Sequence, residues 1–542
     1  MPKRQISSTR ASHILALIDD KRKDSNVRGF ERCREIGNLV ASDLKIRGDF
    51  FKTQDGLYYF DDERLTAFRL DDNLEFASLI GHRYGLNPKM FGFKNALADL
   101  QSEAVRNGRE IEIRRLAYYD CEKNRLYVSR FNGEFYVLDG SSIRSCDNGT
   151  NDVFFFDNFQ VWEPYTYVPN AKGEFDRQII ESVNFVESDL SVKDQQLFLK
   201  LWVMAVFFGN IQPTKIILLL LGDHGAGKTS ALRRIQKLIF GPKVNLLSIE
   251  KDKQDGFIAT ITTDPIALFD NLDERIHWLP YTLSRLATGV TFSRRQLYTT
   301  NEKVEFPGIS WLGITARTVD FMRNQPDLPD RTLVLKLGRL LDRKPEQELL
   351  NAVAQRRNAL WSELLDELNA IVRYLKEHPE PVQIRFRMAD FASFALKVGA
   401  LWDCRETVEN ALAKLESAQS GCALEGDPIH QVLELWLGDK ANQGRELGAG
   451  MLNQEWSYLA KKNRIAWPFA NGKSLAQTLG QLQFALAEDF EVNLRFDAHK
   501  RQNTYQFGPK QPKGHAENLI RPAEPEEVLE LAGIAGFDSG KP

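Results

Sequence analysis

The chain has 542 residues, too many for one hydrophobic core, so two to four domains are expected. Its 43% hydrophobic and 27% charged residues exclude a disordered or collagen-like chain, and a net charge of −3 with an isoelectric point near 6.3 excludes a surface coated in positive charge. The five cysteines (Cys33, Cys121, Cys146, Cys404, Cys422) are never spaced as Cys-x-x-Cys, which argues against a disulfide framework or a zinc site and for a reducing compartment.

In chain order, residues 1–170 read as a mixed α+β domain. A charged helix is expected over 31–46, and the apolar run 14–18 is too short for a signal peptide. Two hairpins follow, 52–60 turning at Asp55-Gly56 and 126–138 turning at Asn132-Gly133, and then a strand-rich aromatic stretch over 152–167. Asp61-Asp62 and Asp71-Asp72 lie beside turns and read as solvated loop carboxylates, so no polymerising primase site is expected.

Residues 175–345 alternate between strand and helix signals. Strands are expected at 216–221, 243–247, 266–270, 310–315 and 332–337, and the first is apolar throughout, as in a parallel strand buried on both faces. The apolar region 201–221 is broken by Asn210, Gln212, Pro213 and Lys215, so no bilayer span is expected. After the first strand, Ala231, Leu232, Ile235, Leu238 and Ile239 line one face of a helix that stops at Gly241-Pro242. Such alternation implies an α/β fold with an open parallel sheet.

Residues 346–425 read as a helical lid or linker, with Leu360, Leu364, Leu368, Ile371 and Leu375 in one apolar stripe. Three helices and a hairpin are expected over 426–508, and residues 509–542, rich in Pro, Glu, Gly and Lys, read as a loose tail.

The strongest chemical signal is Gly222-Asp223-His224-Gly225-Ala226-Gly227-Lys228-Thr229, which fits G-x-x-x-x-G-K-[ST] in full and is followed by Ser230 at the start of a helix. Glycines let backbone N–H groups curl around a phosphate, and the helix presents its positive end to the same anion. Lys228 is expected to reach the β- and γ-phosphates of ATP, and the Thr229 hydroxyl to complete a Mg²⁺ shell. About forty residues on, an apolar strand ends in Asp270, a second expected metal ligand. Asn271 stands where hydrolytic relatives place a glutamate; either Asp273 or Glu274 supplies the base, or turnover is slow. Thr315 ends the fourth strand with Arg317 just beyond, as a polar sensor beside the γ-phosphate or as a hydroxyl that merely closes a strand. Arg331, in Asp327-Leu328-Pro329-Asp330-Arg331, reads as a finger acting across a subunit boundary or as one half of a surface salt bridge.

This layout resembles the AAA+ P-loop ATPases, and within them the superfamily 3 helicases and primase-linked ATPases of phages, plasmids and integrative elements. The residues carrying the resemblance are 222–229, 269–274, 310–317 and 327–337, with Leu286-Ala287-Thr288-Gly289 leading into Thr291–Arg295 and on to Tyr298. The resemblance implies a sheet in the order 5-1-4-3-2, a hexameric ring with shared ATP sites, and a DNA-tracking hairpin just before the fourth strand. Arg294, Arg295 and Lys303 would then grip phosphates in a central pore, the alternative being an ordinary edge hairpin.

In the C-terminal module, Leu475, Leu479, Leu482 and Leu486 stripe the third helix, whose other face carries Lys473, Ser474, Gln477, Thr478 and Gln481. With a basic tip at Lys500 and Arg501, three helices and a hairpin suggest a winged helix, binding either DNA or a protein partner. Two functions follow as expectations. The first is a cytoplasmic, ATP-dependent helicase or translocase acting on single-stranded or forked DNA in the replication of a mobile element, with no membrane partner. The second is a nucleotide-dependent switch or assembly ATPase in defence or regulation.

Overall fold

The computed structural model of the protein describes residues 8–510 except 25–26, 55, 72–73, 113, 157–160, 273–275, 296–302, 323–324, 326, 341–343, 385, 425–426 and 498–501. The chain forms two compact units, residues 1–419 and 420–542.

The first unit opens with helices α1 (Ser8–Lys23) and α2 (Gly29–Arg47) and strands β1 (Gly48–Thr53), β2 (Gly56–Asp61) and β3 (Thr66–Arg69). Helices α3 (Leu74–Tyr84) and α4 (Phe91–Asn107) and the short β4 (Arg109–Glu110) complete a sheet in the order β3-β2-β1-β4. Its β1–β2 hairpin is the one expected at 52–60, whereas α1, α3 and α4 were not anticipated. Tyr59 and Phe68 on one face bury against α2–α4, while Phe51, Tyr58 and Phe60 on the other meet Phe154 and Phe156. Asp61 departs from the expected solvated carboxylate: it is fully buried and paired with Arg83. A carboxylate at the end of an inward-facing strand needs that partner.

A second antiparallel sheet runs β5 (Ala117–Asp120), β6 (Arg125–Ser129), β7 (Glu134–Leu138) and β8 (Ile143–Asp147) in sequence order. The aromatic stretch expected as strands forms just one isolated bridge, Arg114 to Phe155. Val153–Phe156 nevertheless keeps the two-residue period of a strand, because it lies between two sheets: Phe154 and Phe156 face the first, and Val153 and Phe155 pack with Tyr127, Phe135 and Val137 of the second. A side chain takes the place of a neighbouring strand, since the Asn148 amide accepts from Phe155 N–H (2.8 Å) and donates to Phe155 C=O (3.0 Å).

Beyond α5 (Val192–Val206), the parallel sheet is built from β9 (Ile217–Leu221), β10 (Ile266–Phe269), β13 (Trp311–Ala316) and β14 (Thr332–Lys336), in the order β10-β13-β9-β14. Between them come α6 (Lys228–Phe240), α7 (Gln254–Thr263), α8 (Leu279–Ala287) and the antiparallel pair β11 (Thr291–Arg295) and β12 (Lys303–Pro307). The strand expected at 243–247 is reduced to an isolated parallel bridge, Leu247 to Phe269, so four strands stand where five were expected. Lys243 and Asn245 are exposed there, and an outer position with one neighbour rewards few residues for extending.

Helices α9 (Glu346–Gln355), α10 (Arg357–Glu377), α11 (Ala389–Leu401) and α12 (Arg405–Leu424) follow. Leu360, Leu364, Leu368 and Ile371 of α10 join one core that runs from Leu116 of the N-terminal region to Leu415, so the boundary expected near 170 does not divide the packing. Arg357 donates to the Leu238 and Ile239 carbonyls at the end of α6, and Trp361 to Leu238, so α10 caps the helix that begins at the glycine-rich loop.

The second unit contains α13 (Pro428–Leu437), β15 (Glu446–Gly448), α14 (Ala449–Lys462), α15 (Gly472–Asp489), β16 (Phe490–Asp497) and β17 (Gln502–Lys510). Its sheet runs β15-β17-β16, and β15 is a third strand that the sequence reading missed. Trp436, Trp456, Leu475, Leu479, Leu486 and Phe507 form its core. Strand β17 continues to Lys510, two residues into the expected tail, and residues 511–542 lie outside the described residues. Among the described residues no helix is long and apolar enough to cross a membrane.

Candidate nucleotide-binding site

The glycine-rich loop leaves β9, whose five residues are all buried. A Cβ on Gly222 would stand 2.4 Å from the Leu337 carbonyl oxygen at the end of β14, so a side chain cannot pass between adjacent strand ends. Gly225 (φ 78°) and Gly227 (φ 84°) turn the chain through left-handed backbone, and Leu340 N–H closes over the loop onto Gly225 C=O. Gly227 precedes α6 without a side-chain cap, leaving the first N–H groups of that helix for an anion. Ala226 is buried and anchors the loop, whereas Asp223 and His224 are exposed at its tip. Lys228 Nζ donates back to the carbonyls of Gly222 (2.5 Å) and Asp223 (3.0 Å). The Ser230 hydroxyl is buried without a hydrogen-bond partner.

Three strand ends bring the remaining groups together. Asp270 Oδ1, just past β10, accepts from Thr229 Oγ1 (2.8 Å) and from Thr315 Oγ1 (2.6 Å) on β13. Thr315 is 1% exposed and also accepts from Asn271 N–H at 2.8 Å, so its hydroxyl is spent on orienting the carboxylate and the chain beyond it. Asn271 has φ 59°, a left-handed conformation that asparagine tolerates better than longer side chains do. Backbone geometry thus favours the residue found here over a glutamate. Thr229 Oγ1 and Asp270 Oδ1 form a hard-oxygen pair of the kind Mg²⁺ prefers. Arg317, beyond Thr315, reaches His224 in the loop (Nη1 to Nε2, 3.1 Å). Asp273 and Glu274, the two expected bases, lie outside the described residues.

Arg331 stands apart from this cluster. Its Nη1 donates to the carbonyl (3.1 Å) and hydroxyl of Ser284 on α8, and Asp327 lies 3.6 Å from Nη2. Burial pulls its pKa below the ordinary arginine value, with Asp327 opposing the shift. Arg387 in turn pairs with Asp327 (3.1 Å) and Asp330 (2.6 Å). Within one chain the arginine is therefore held by a salt bridge and by α8.

On the β11–β12 hairpin, Arg295 pairs with Lys303 and Arg294 with Val304 through the backbone. Its base is fixed by buried Phe292, with the Arg285 guanidinium 5.1 Å from that ring's centroid. Lys473 is exposed in the first turn of α15. The Ser474 and Thr478 hydroxyls bond to the Asn471 and Ser474 carbonyls, so two of the five polar donors expected to face a groove are spent on local backbone. Lys500 and Arg501 lie outside the described residues. Sequence reasoning missed Ser284, Arg357 and Gln195, the last of which accepts from Lys336 N–H of β14. The one visible signal was Arg357, a charge one turn ahead of an apolar stripe.

A family model described as the actinomycete integrative conjugative element replication protein matches residues 187–416, the stretch that holds the whole loop–carboxylate–threonine cluster. No curated protein matches the chain. Among solved structures, the apo structure of the NrS-1 C-terminal region (305–718) is similar at 12% identity and a TM-score of 0.40, over 88% of this chain and 100% of that one. Its A form gives 13% and 0.39, over 86% and 98%. A JCV helicase structure with a bound acetamide compound gives 14% and 0.23, over 47% and 67%.

Proposed function

We propose that the protein is an ATP-dependent DNA helicase or translocase of the superfamily 3 type, within the AAA+ ATPases, serving the replication of a mobile element. The observation that carries this reading is the convergence of Thr229 and Thr315 on one oxygen of Asp270, beside a complete phosphate loop. The family match over residues 187–416 supports the replication context.

On this reading, Lys228 and the first N–H groups of α6 receive the β- and γ-phosphates of ATP, and Asp270, held by Thr315, turns an oxygen to the cation beside Thr229. Bound Mg²⁺ supplies neutralisation of the charge that develops on the phosphates. Asp273 or Glu274 orients the attacking water, since the Asn271 amide takes no proton. In a hexameric ring, Arg331 exchanges Ser284 for the neighbouring subunit's phosphate, and Arg294, Arg295 and Lys303 follow one DNA strand through the pore. The second unit is then a winged helix, with Lys473, Lys500 and Arg501 on the DNA backbone.

ATP hydrolysis with and without single-stranded or forked DNA tests this reading. Lys228→Ala and Arg331→Ala are each expected to lower the rate by about 10³-fold. A random mixture of the two variants is expected to recover about a quarter of the wild-type rate, because one site in four then pairs an intact lysine with an intact arginine from its neighbour. An intact ring whose hydrolysis ignores DNA overturns the motor and leaves the assembly switch.

A further inference from the structure

The end of the first unit at which α2 and α4 begin has no part in the nucleotide chemistry, yet it is built in an unusual way. The two helices run parallel and start together. A Cβ on Gly92 would lie 3.5 Å from the Cys33 carbonyl oxygen, and one on Gly37 would lie 2.7 Å from Asn95 Cβ, so residue pairs advance in step. Phe30 sits one turn before Cys33 on the same stripe, and Met90 and Phe91 immediately precede Gly92. The tail of α1 joins them, because Arg22 donates to Gly85 C=O (3.0 Å) and Arg32 donates to Arg22 C=O (3.2 Å).

Three large apolar side chains stand in solvent there: Phe30 is 67% exposed, Phe91 62% and Met90 41%. Around them Lys23, Arg28, Arg34, Lys89 and Lys94 are all exposed. The nearby acids Asp19 and Glu35 are committed to Arg22 and Lys21. Asp24 and Glu31 are left against five cations, in a chain whose net charge is −3. Neither helix start has a side-chain cap, so both also turn unpaired N–H groups and the positive ends of their dipoles toward this surface.

We propose that this surface binds single-stranded nucleic acid, with bases stacked on Phe30 and Phe91 and phosphates held by the surrounding cations and helix starts. Exposed rings among cations are the two parts of a sequence-tolerant single-strand site, since every base offers a face to stack and every nucleotide a phosphate. A bilayer is the poorer fit, because α2 and α4 meet the surface by their ends and lay no apolar flank along it. A purely acidic peptide would use the charges and leave the rings unexplained. The site stands apart from the hairpin residues Arg294, Arg295 and Lys303, and its existence does not depend on the motor reading.

Anisotropy of a labelled oligo-dT of about 20 nucleotides, measured on the full chain without ATP, tests the proposal. Phe30→Ala with Phe91→Ala is expected to weaken binding at least about tenfold, while Phe30→Tyr with Phe91→Tyr keeps wild-type affinity. Arg28→Glu with Lys89→Glu is expected to lower the slope of log affinity against log salt by about 2. DNA-free ATP hydrolysis should be unchanged in all three, which separates a failed surface from a failed motor. If the double alanine variant loses its helical circular dichroism, the charge-reversed pair decides instead. Full affinity in the alanine or charge-reversed variants overturns the proposal. So does tighter binding of polyglutamate or of phosphatidylserine vesicles than of oligo-dT.

Discussion

At the scale of single residues, the nucleotide site turns on how few atoms are shared. Thr315 looked in the sequence like a sensor for the γ-phosphate or a strand-closing hydroxyl; in the fold it bridges Asn271 N–H and Asp270 Oδ1. Thr315→Val is expected to keep the volume and lose both hydrogen bonds, costing about 1–3 kcal/mol of stability by leaving a buried N–H unpaired. ATP turnover should fall more steeply than nucleotide affinity, and Thr315→Ser should restore both; thermal melts alongside kcat and KM check this. Asn271 was legible only as a missing base. Its reason is a backbone angle of φ 59°, and no spacing rule carries a dihedral angle.

At the scale of elements, what could be read was whatever a period exposes. The phosphate-loop strand, the helix after it and the leucine stripe of α10 were all visible as runs of apolar residues at the right spacing, and they fold so. The stretch around Phe154 had the right period and the wrong partner, because a two-residue alternation reports two buried faces and says nothing about what pairs the backbone. Here the Asn148 amide does. Asn148 also donates to Leu65 C=O (2.9 Å) and is 4% exposed, so Asn148→Ala should strip buried backbone groups of both neighbours. Chemical denaturation is expected to show a loss of about 2–4 kcal/mol, with nucleotide affinity unchanged in the folded protein. Helices α1, α3 and α4 escaped notice because their burial is shared among several helix faces and leaves no clean stripe.

At the scale of the whole molecule, the expected boundary near 170 failed for a physical reason: residues 162–175 run along α10 as a strap. Tyr165 stacks on Trp361 (3.8 Å between ring centroids), and Val168 N–H reaches the Ser362 hydroxyl (2.9 Å). A domain boundary needs a stretch where few contacts cross, and this stretch is crowded. The second unit is different, since its tryptophan-rich core draws on no residue before Ile429. A fragment spanning residues 427–542 is therefore expected to fold alone, with a cooperative thermal transition seen by tryptophan fluorescence; a featureless melt would show that the core is incomplete. The piece 1–426 should keep DNA-free ATP hydrolysis.

Val153–Phe156 carries one more consequence, for how this sequence is free to drift. Its four side chains are dealt alternately to two cores, so the insertion or loss of one residue there would hand every ring to the wrong sheet. Change of length in this stretch is tolerable only in pairs, whereas the composition of each core can wander as long as its volume is kept. A short irregular loop, where chains ordinarily accept indels most easily, is here one of the least negotiable rulers in the molecule.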